Sequence, residues 1–206
     1  MSKYVKFTYD CAGAEIAKFD QLAELNAYRR RLLEQRLMGV DSNGVGFGNL
    51  SVRDGSSAHF YITGSATGGL PELTPTDCVR VVAYDFAKNS LSYEGAAIPS
   101  SESLTHAAIY ESDPSASAII HCHDLDLWAM LLDSAPTTSK SVAYGTPEIA
   151  YEIVRLFKDS DVRSRKAFAM AGHKAGVMTF GKDFRDAFDV LMRAKGIIAL
   201  HLKTVL

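Results

Sequence analysis

The chain is poor in cysteine, and the few it has are not arranged to act together: Cys11, Cys78 and Cys122 are odd in number and show no CxxC spacing. That excludes a disulfide framework and points to a reducing, cytoplasmic compartment. Long apolar runs are missing as well. Nothing approaches the ~18 residues of a membrane span. The opening stretch MSKYVKFTYDCAGAEIAKFD carries charges every few residues where a signal peptide needs an apolar centre. There is no excess of one charge sign, with 22 Lys+Arg against 24 Asp+Glu and a formal net charge of −2. Such a chain has no field to draw in nucleic acid, and apart from Arg29-Arg30-Arg31 its basic residues are scattered. Repeats, low-complexity tracts, long linkers, a Walker motif and a GxGxxG fingerprint are all absent. No membrane or nucleic-acid partner is expected; a cytoplasmic enzyme or interaction domain remains.

What is present is an ordinary globular balance, 47% hydrophobic and 22% charged over 206 residues. A chain of this length buries roughly 70% of its unfolded surface and needs no staple to fold. FDQLAELNAYRRRLLEQRLMG has Leu22, Leu25, Tyr28, Leu32, Leu33 and Leu37 at helical spacings, with Gly39 as the expected C-cap and Arg29–Arg31 as a solvated face. GNLSVR, AHFYITG, CVRVVAYD and NSLSYEG read as four strands joined by turns too short for crossover helices, hence antiparallel. SSESLTHAAIYESDP reads as a helix with a serine N-cap signal and Glu102 in its first turn. SASAIIHCHD is a buried strand, LDLWAMLLDS a helix, and TPEIAYEIVRLFKDS a helix with Pro147 near N1. KAFAMAGHKAGVMTFG reads as a two-stranded hairpin, and DFRDAFDVLMRAKGIIALHLK as the last helix. The expectation is one α/β domain over residues 1–206, with a mainly antiparallel sheet covered by helices.

Chemistry is concentrated at His121-Cys122-His123. On a strand, residues i and i+2 share a face, so both imidazoles can address one ion while Cys122 points into the core. A pair of histidines satisfied separately by backbone or water is the alternative. His173, in AMAGHKAGV beside Gly172 and Gly176, reads as a turn residue or a third ligand. Glu102 is the best acidic candidate, either a capping residue or, beside a metal-bound carbonyl compound, a group that moves an α-proton. His106 lies four residues on, on the same helix face. His59 and His201 read as structural or solvent-facing. The Gly/Ser/Thr-rich segments at 44–51 and 63–69 are hairpin turns or anion-binding loops.

Taken in order, GNLSVR (48–53), ITGSATG (62–68), PSSESLTHAAIYESDPSASAIIHCH (99–123), YGTPEIA (144–150) and AGHKAGVMTFGKDFRDAFD (171–189) resemble the class II aldolase/adducin family over nearly the whole chain. The resemblance implies a three-layer fold. It implies Zn²⁺, or another divalent metal, on His121, His123 and His173, with Glu102 as a further ligand and acid/base. Asn49, Ser65, Ser100 and Ser101 then surround a substrate phosphate. The implied reaction is retro-aldol cleavage of a small hydroxy-carbonyl substrate, a sugar or sugar phosphate, through a metal-stabilised enediolate. Epimerisation, dehydration or a non-catalytic adducin-like assembly role are the alternatives, and a homotetramer is the implied assembly. Three departures stand out. Gly46-Phe47-Gly48-Asn49 has Phe47 where Thr is frequent. Lys174 follows the third histidine in place of Gly, bringing a cation that could contact an anionic substrate. The segment between His123 and Tyr144 is only about 20 residues long, and within it the aldolases' catalytic tyrosine has no counterpart.

Overall fold

The computed structural model describes residues 5–16 and 19–204, with side chains described through residue 196. Among the described residues ten strands and six α-helices follow one another. The order is β1 (Thr8–Gly13), α1 (Leu22–Glu34), β2 (Gly39–Val40), β3 (Gly46–Phe47), β4 (Asn49–Arg53), β5 (Phe60–Thr63), β6 (Cys78–Asp85) and β7 (Ser90–Glu94). Then come α2 (Ser103–Ser112), β8 (Ala118–His123), α3 (Leu125–Ser134), α4 (Pro147–Asp159), α5 (Val162–Arg165), β9 (Ala167–Ala169), β10 (Gly176–Gly181) and α6 (Phe184–Thr204). Eight strands form one sheet in the order β1-β7-β6-β5-β4-β8-β10-β9, and β2 and β3 form a separate small hairpin. Every described pair in the large sheet is antiparallel except β1 with β7.

Alternation along the strands divides the core into two layers. Ile62, Ile119, Met178 and Phe180 face α2 and α4, where they meet Leu104, Ala108, Ile149 and Ile153. Their neighbours Tyr61, Ile120, Cys122 and Val177 face the other way, packing with Leu25 and Leu32 of α1, Leu127 of α3 and Phe188 of α6. Helices therefore cover both faces, the three-layer α/β arrangement expected from the sequence. Cys122 is buried in the second layer, as the strand geometry requires. Among the described residues no helix is long and apolar enough to cross a membrane.

The structure corrects several local expectations. β1 and the β2–β3 hairpin were not expected, nor was the short α5. β1 is largely exposed along its length and β2 and β3 have two residues each, so none carries a readable apolar alternation. Gly39 is not the C-cap of α1. The helix ends at Glu34, and Arg36 takes the left-handed conformation (φ 57°) of a Schellman motif. In it the Leu37 N–H donates to Leu32 O and the Arg36 N–H to Leu33 O. Arg29 is not on a solvated face; it is completely buried, whereas Arg30 and Arg31 are exposed. Glu102 sits at the N-cap of α2, one position before the first helical residue, and its side chain makes no cap hydrogen bond. His59 precedes β5 and its Nδ1 meets Arg80 Nη2 at 2.8 Å. The side chain of His201 lies outside the described residues.

Candidate metal centre and its cavity

β8 lies between β4 and β10, with Asn49 opposite His121 on one side and Met178 opposite it on the other. His121 and His123 leave the same face of β8 at its end, and their Nε2 atoms are 3.2 Å apart. The turn between β9 and β10 delivers His173, whose ring centroid lies 5.1 Å from that of His121 and 4.8 Å from that of His123. One nitrogen from each ring falls within 4.8 Å of the others, an arrangement that could hold a metal ion. The His121 Nδ1–H donates to Val177 O at 3.2 Å, which leaves Nε2 with its lone pair toward the cluster. Burial, more than any neighbour, pushes His121 well below the ordinary histidine range and His123 to about 4.

Glu102 borders this group through His173. Its Oε2 accepts from the Thr105 hydroxyl at 2.7 Å, and its Oε1 lies 3.1 Å from His173 Nδ1 without hydrogen-bond alignment. Burial alone would raise the carboxyl, but His173, His121 and Thr105 outweigh it and hold the group down at about 2, so it is ionised. A sealed carboxylate oxygen and a sealed imidazole nitrogen, both lacking hydrogen-bond partners, are atoms that a cation would satisfy. The donor set thus fits a divalent metal such as Zn²⁺.

The cluster opens on a cavity of about 450 Å³. Asn49, Ser65, Ser100 and Ser101 all line it, together with Glu102 and the three histidines. Asn49 Oδ1 is buried without a partner, and Ser100 Oγ accepts the Glu102 N–H at 3.3 Å. Lys174 is exposed and is not among the lining residues, so this geometry does not support its contact with a substrate anion.

Three lining residues, Asp41, Phe47 and Tyr144, were given no site role by the sequence reading. The Phe47 ring stacks on His123 at 5.1 Å, and the Tyr144 ring stacks on His173 at 4.5 Å. The Lys6 ammonium sits 3.9 Å from the Tyr144 ring centroid and donates to Tyr144 O at 3.1 Å. Asp41 accepts the N–H groups of Asn43 and Val45 at 2.8 and 2.9 Å, closing the β2–β3 hairpin over the cavity rim. Phe47 drew notice only for standing where Thr is frequent, and Tyr144 lay in the quoted YGTPEIA without a role assigned to it. The two loops that carry Phe47 and Thr67 are in direct contact: a Cβ on Gly68 would fall 2.4 Å from Phe47 O, and one on Gly46 would fall 3.0 Å from Ala66 O.

Beneath the cavity, His106 of α2 is fully buried. Its Nδ1 lies 2.6 Å from Ser51 Oγ, which in turn lies 2.8 Å from the Tyr110 hydroxyl. It does not line the cavity.

Residues 30–202 match the class II aldolase and adducin N-terminal domain. The chain belongs to this family. Among its relatives, the 3-oxo-tetronate 4-phosphate decarboxylase of Haemophilus influenzae is 31% identical over 165 residues, covering 70% of this chain and 71% of that protein. The L-fuculose phosphate aldolase of Methanococcus maripaludis is 27% identical over 174 residues, 77% of this chain and 83% of the relative. In three dimensions an L-fuculose 1-phosphate aldolase superposes with a TM-score of 0.69 at 23% identity, covering 93% of this chain and 89% of the other, which establishes a shared fold. These family relatives are enzymes, one an aldolase and one a decarboxylase.

Proposed function

We propose that the protein is a Zn²⁺-dependent lyase of the class II aldolase type that cleaves a small hydroxy-carbonyl compound, a sugar or sugar phosphate. The observation that carries this reading is the meeting of His121, His123 and His173 beside the buried, ionised Glu102 in one cavity. His121, His123 and His173 are assigned as ligands, with Glu102 as a further one. A divalent cation bound there supplies Lewis-acid stabilisation of negative charge on substrate oxygens. In the cleavage the β-hydroxyl loses a proton, the bond between the α and β carbons breaks to release an aldehyde, and the α carbon takes up a proton. Glu102 is the group we assign to hold and hand over that proton. Asn49, Ser65, Ser100 and Ser101 orient the distal end of the substrate, and the rings of Phe47 and Tyr144 shield the ligands from water. The proposal includes assembly as a homo-oligomer, a tetramer by family resemblance.

A second reading is favoured by the 31% identity to a decarboxylase. Loss of CO₂ from a 3-oxo acid leaves the same electron pair on the α carbon and needs the same protonation, but it needs no base for a β-hydroxyl. Epimerase and dehydratase readings use the same residues without a comparable observation behind them. The deciding experiment screens zinc-loaded protein against ketose phosphates, free ketoses and 3-oxo acid phosphates, with Glu102→Gln as the blank. Aldehyde release that falls by about 10²-fold or more in Glu102→Gln is expected for the first reading, the usual scale of an acid/base residue. CO₂ release transfers the assignment to the second. Protein that holds no stoichiometric divalent metal, indistinguishable from His121→Ala in metal analysis, overturns both.

A further inference from the structure

Arg29 is a charge in an unexpected place. Its side chain is completely buried on α1, outside the lining of the cavity, and its guanidinium faces main-chain oxygens. Nη1 donates to Leu70 O at 2.7 Å, and Nη2 donates to Thr67 O at 2.7 Å and Gly68 O at 3.2 Å. Nε is buried without a partner. Among the described residues no carboxylate makes an ion pair with it. Burial depresses the guanidinium's pKa, with Cys78 and Asp77 opposing, yet the Cys78 thiol is itself pushed by burial to about 12 and stays neutral. A sealed cation with no carboxylate in direct contact is costly, and carbonyl dipoles compensate it only in part.

The peptide plane says what those three hydrogen bonds do to the loop. In a trans peptide the C=O and the following N–H point in opposite directions. Drawing Thr67 O and Gly68 O toward Arg29 therefore turns the N–H groups of Gly68 and Gly69 away from it. Among the described residues neither N–H donates a hydrogen bond. Ala66, Thr67 and Gly68 line the cavity, whereas Gly69, Leu70 and Arg29 do not. Amide dipoles with their positive ends turned from a buried cation make a surface that favours an anion.

We propose that Arg29 is a positioning residue for the substrate's anionic group: by holding Thr67 O and Gly68 O it fixes the loop so that the Gly68 N–H, turned away from it, is presented to an anion in the cavity. This rests on the reading of the cavity as the substrate site, and it is independent of the metal.

The test titrates inorganic phosphate calorimetrically into the metal-free 206-residue chain as wild type, Arg29→Lys and Arg29→Met, and measures Zn²⁺ affinity alongside. Phosphate affinity is expected to fall about tenfold or more in Arg29→Met, the scale of one charge-assisted hydrogen bond. Arg29→Lys, which keeps the charge and loses the fork, should fall less, and Zn²⁺ affinity should stay within about twofold. Folded Arg29→Met with wild-type phosphate affinity overturns the proposal, as does loss of Zn²⁺ and phosphate affinity in step, which would mark a purely structural arginine. If Arg29→Met does not fold, Arg29→Lys decides, and unchanged phosphate affinity overturns the positioning role. Wild-type protein that binds Zn²⁺ but not phosphate also overturns it while leaving the metal reading intact. Failure to bind Zn²⁺ strikes that reading alone.

Discussion

His106 has a pKa depressed to about 4 by burial, against an ordinary histidine value of about 6.5 in the unfolded chain. Because the folded value is the lower one, the unfolded chain takes up a proton first as pH falls. The neutral ring's contribution is complete above about 6.5 and is lost progressively toward 4, at up to about 1.4 kcal/mol per pH unit for each such group. His121 and His123 act in the same sense. Urea unfolding of metal-free protein between pH 7 and 4.5 should therefore show falling stability, with a shallower fall in His106→Asn. Parallel pH profiles for the two proteins would refute this. At this scale the histidine cluster was largely legible, since i, i+2 spacing on a strand and a histidine in a glycine turn are local signals. Arg29 was misread as part of a solvated face, although a local signal was available: it lies four residues after Leu25 and three before Leu32, both completely buried. A run of three arginines looks solvated unless each is placed by helical phase.

Gly176 opens β10 directly after the His173 turn. A Cβ there would fall 2.9 Å from His173 O, 3.2 Å from His173 Cγ and 3.3 Å from His121 Cε1. Gly176→Ala should therefore disturb two of the three imidazoles at once. We expect Zn²⁺ affinity to drop by at least about tenfold, with a stability loss on the order of 1–3 kcal/mol typical of overpacking. Wild-type Zn²⁺ affinity in the variant, read by competition with a chelating dye, would contradict it. The elements that carry the site were legible because their strands are apolar, β-branched or aromatic runs bounded by turn residues and their helices are long and periodic: the β4–β7 meander, β8, β10 and every described helix of ten residues or more. β1 was missed because its exposed residues carry no apolar face, and its pairing with β7 is fixed by contacts 80 residues apart that no local pattern encodes. The end of α1 was misplaced because Arg36, not a glycine, occupies the left-handed position.

Over the whole molecule, strand order explains why distant segments meet. β5, β6 and β7 run outward from β4 on one side, while β8 and β10 continue on the other, so the loops at 46–49, 64–68 and 100–102 converge on the histidine-bearing strand. Exposed Val40 of β2 and the loop residues Leu70 and Ile98 present apolar surface of the kind covered when subunits associate. Light scattering at micromolar concentration should give about four times the 22.4 kDa chain mass, and a single-chain mass would contradict the homo-oligomer. The contact between the Phe47 and Thr67 loops has its own bearing on how this chain can vary. Neither loop can gain bulk at Gly46 or Gly68 unless the other retreats. Substitutions there will be non-additive, and new substrate ranges will be reached through paired changes that single-site libraries do not sample.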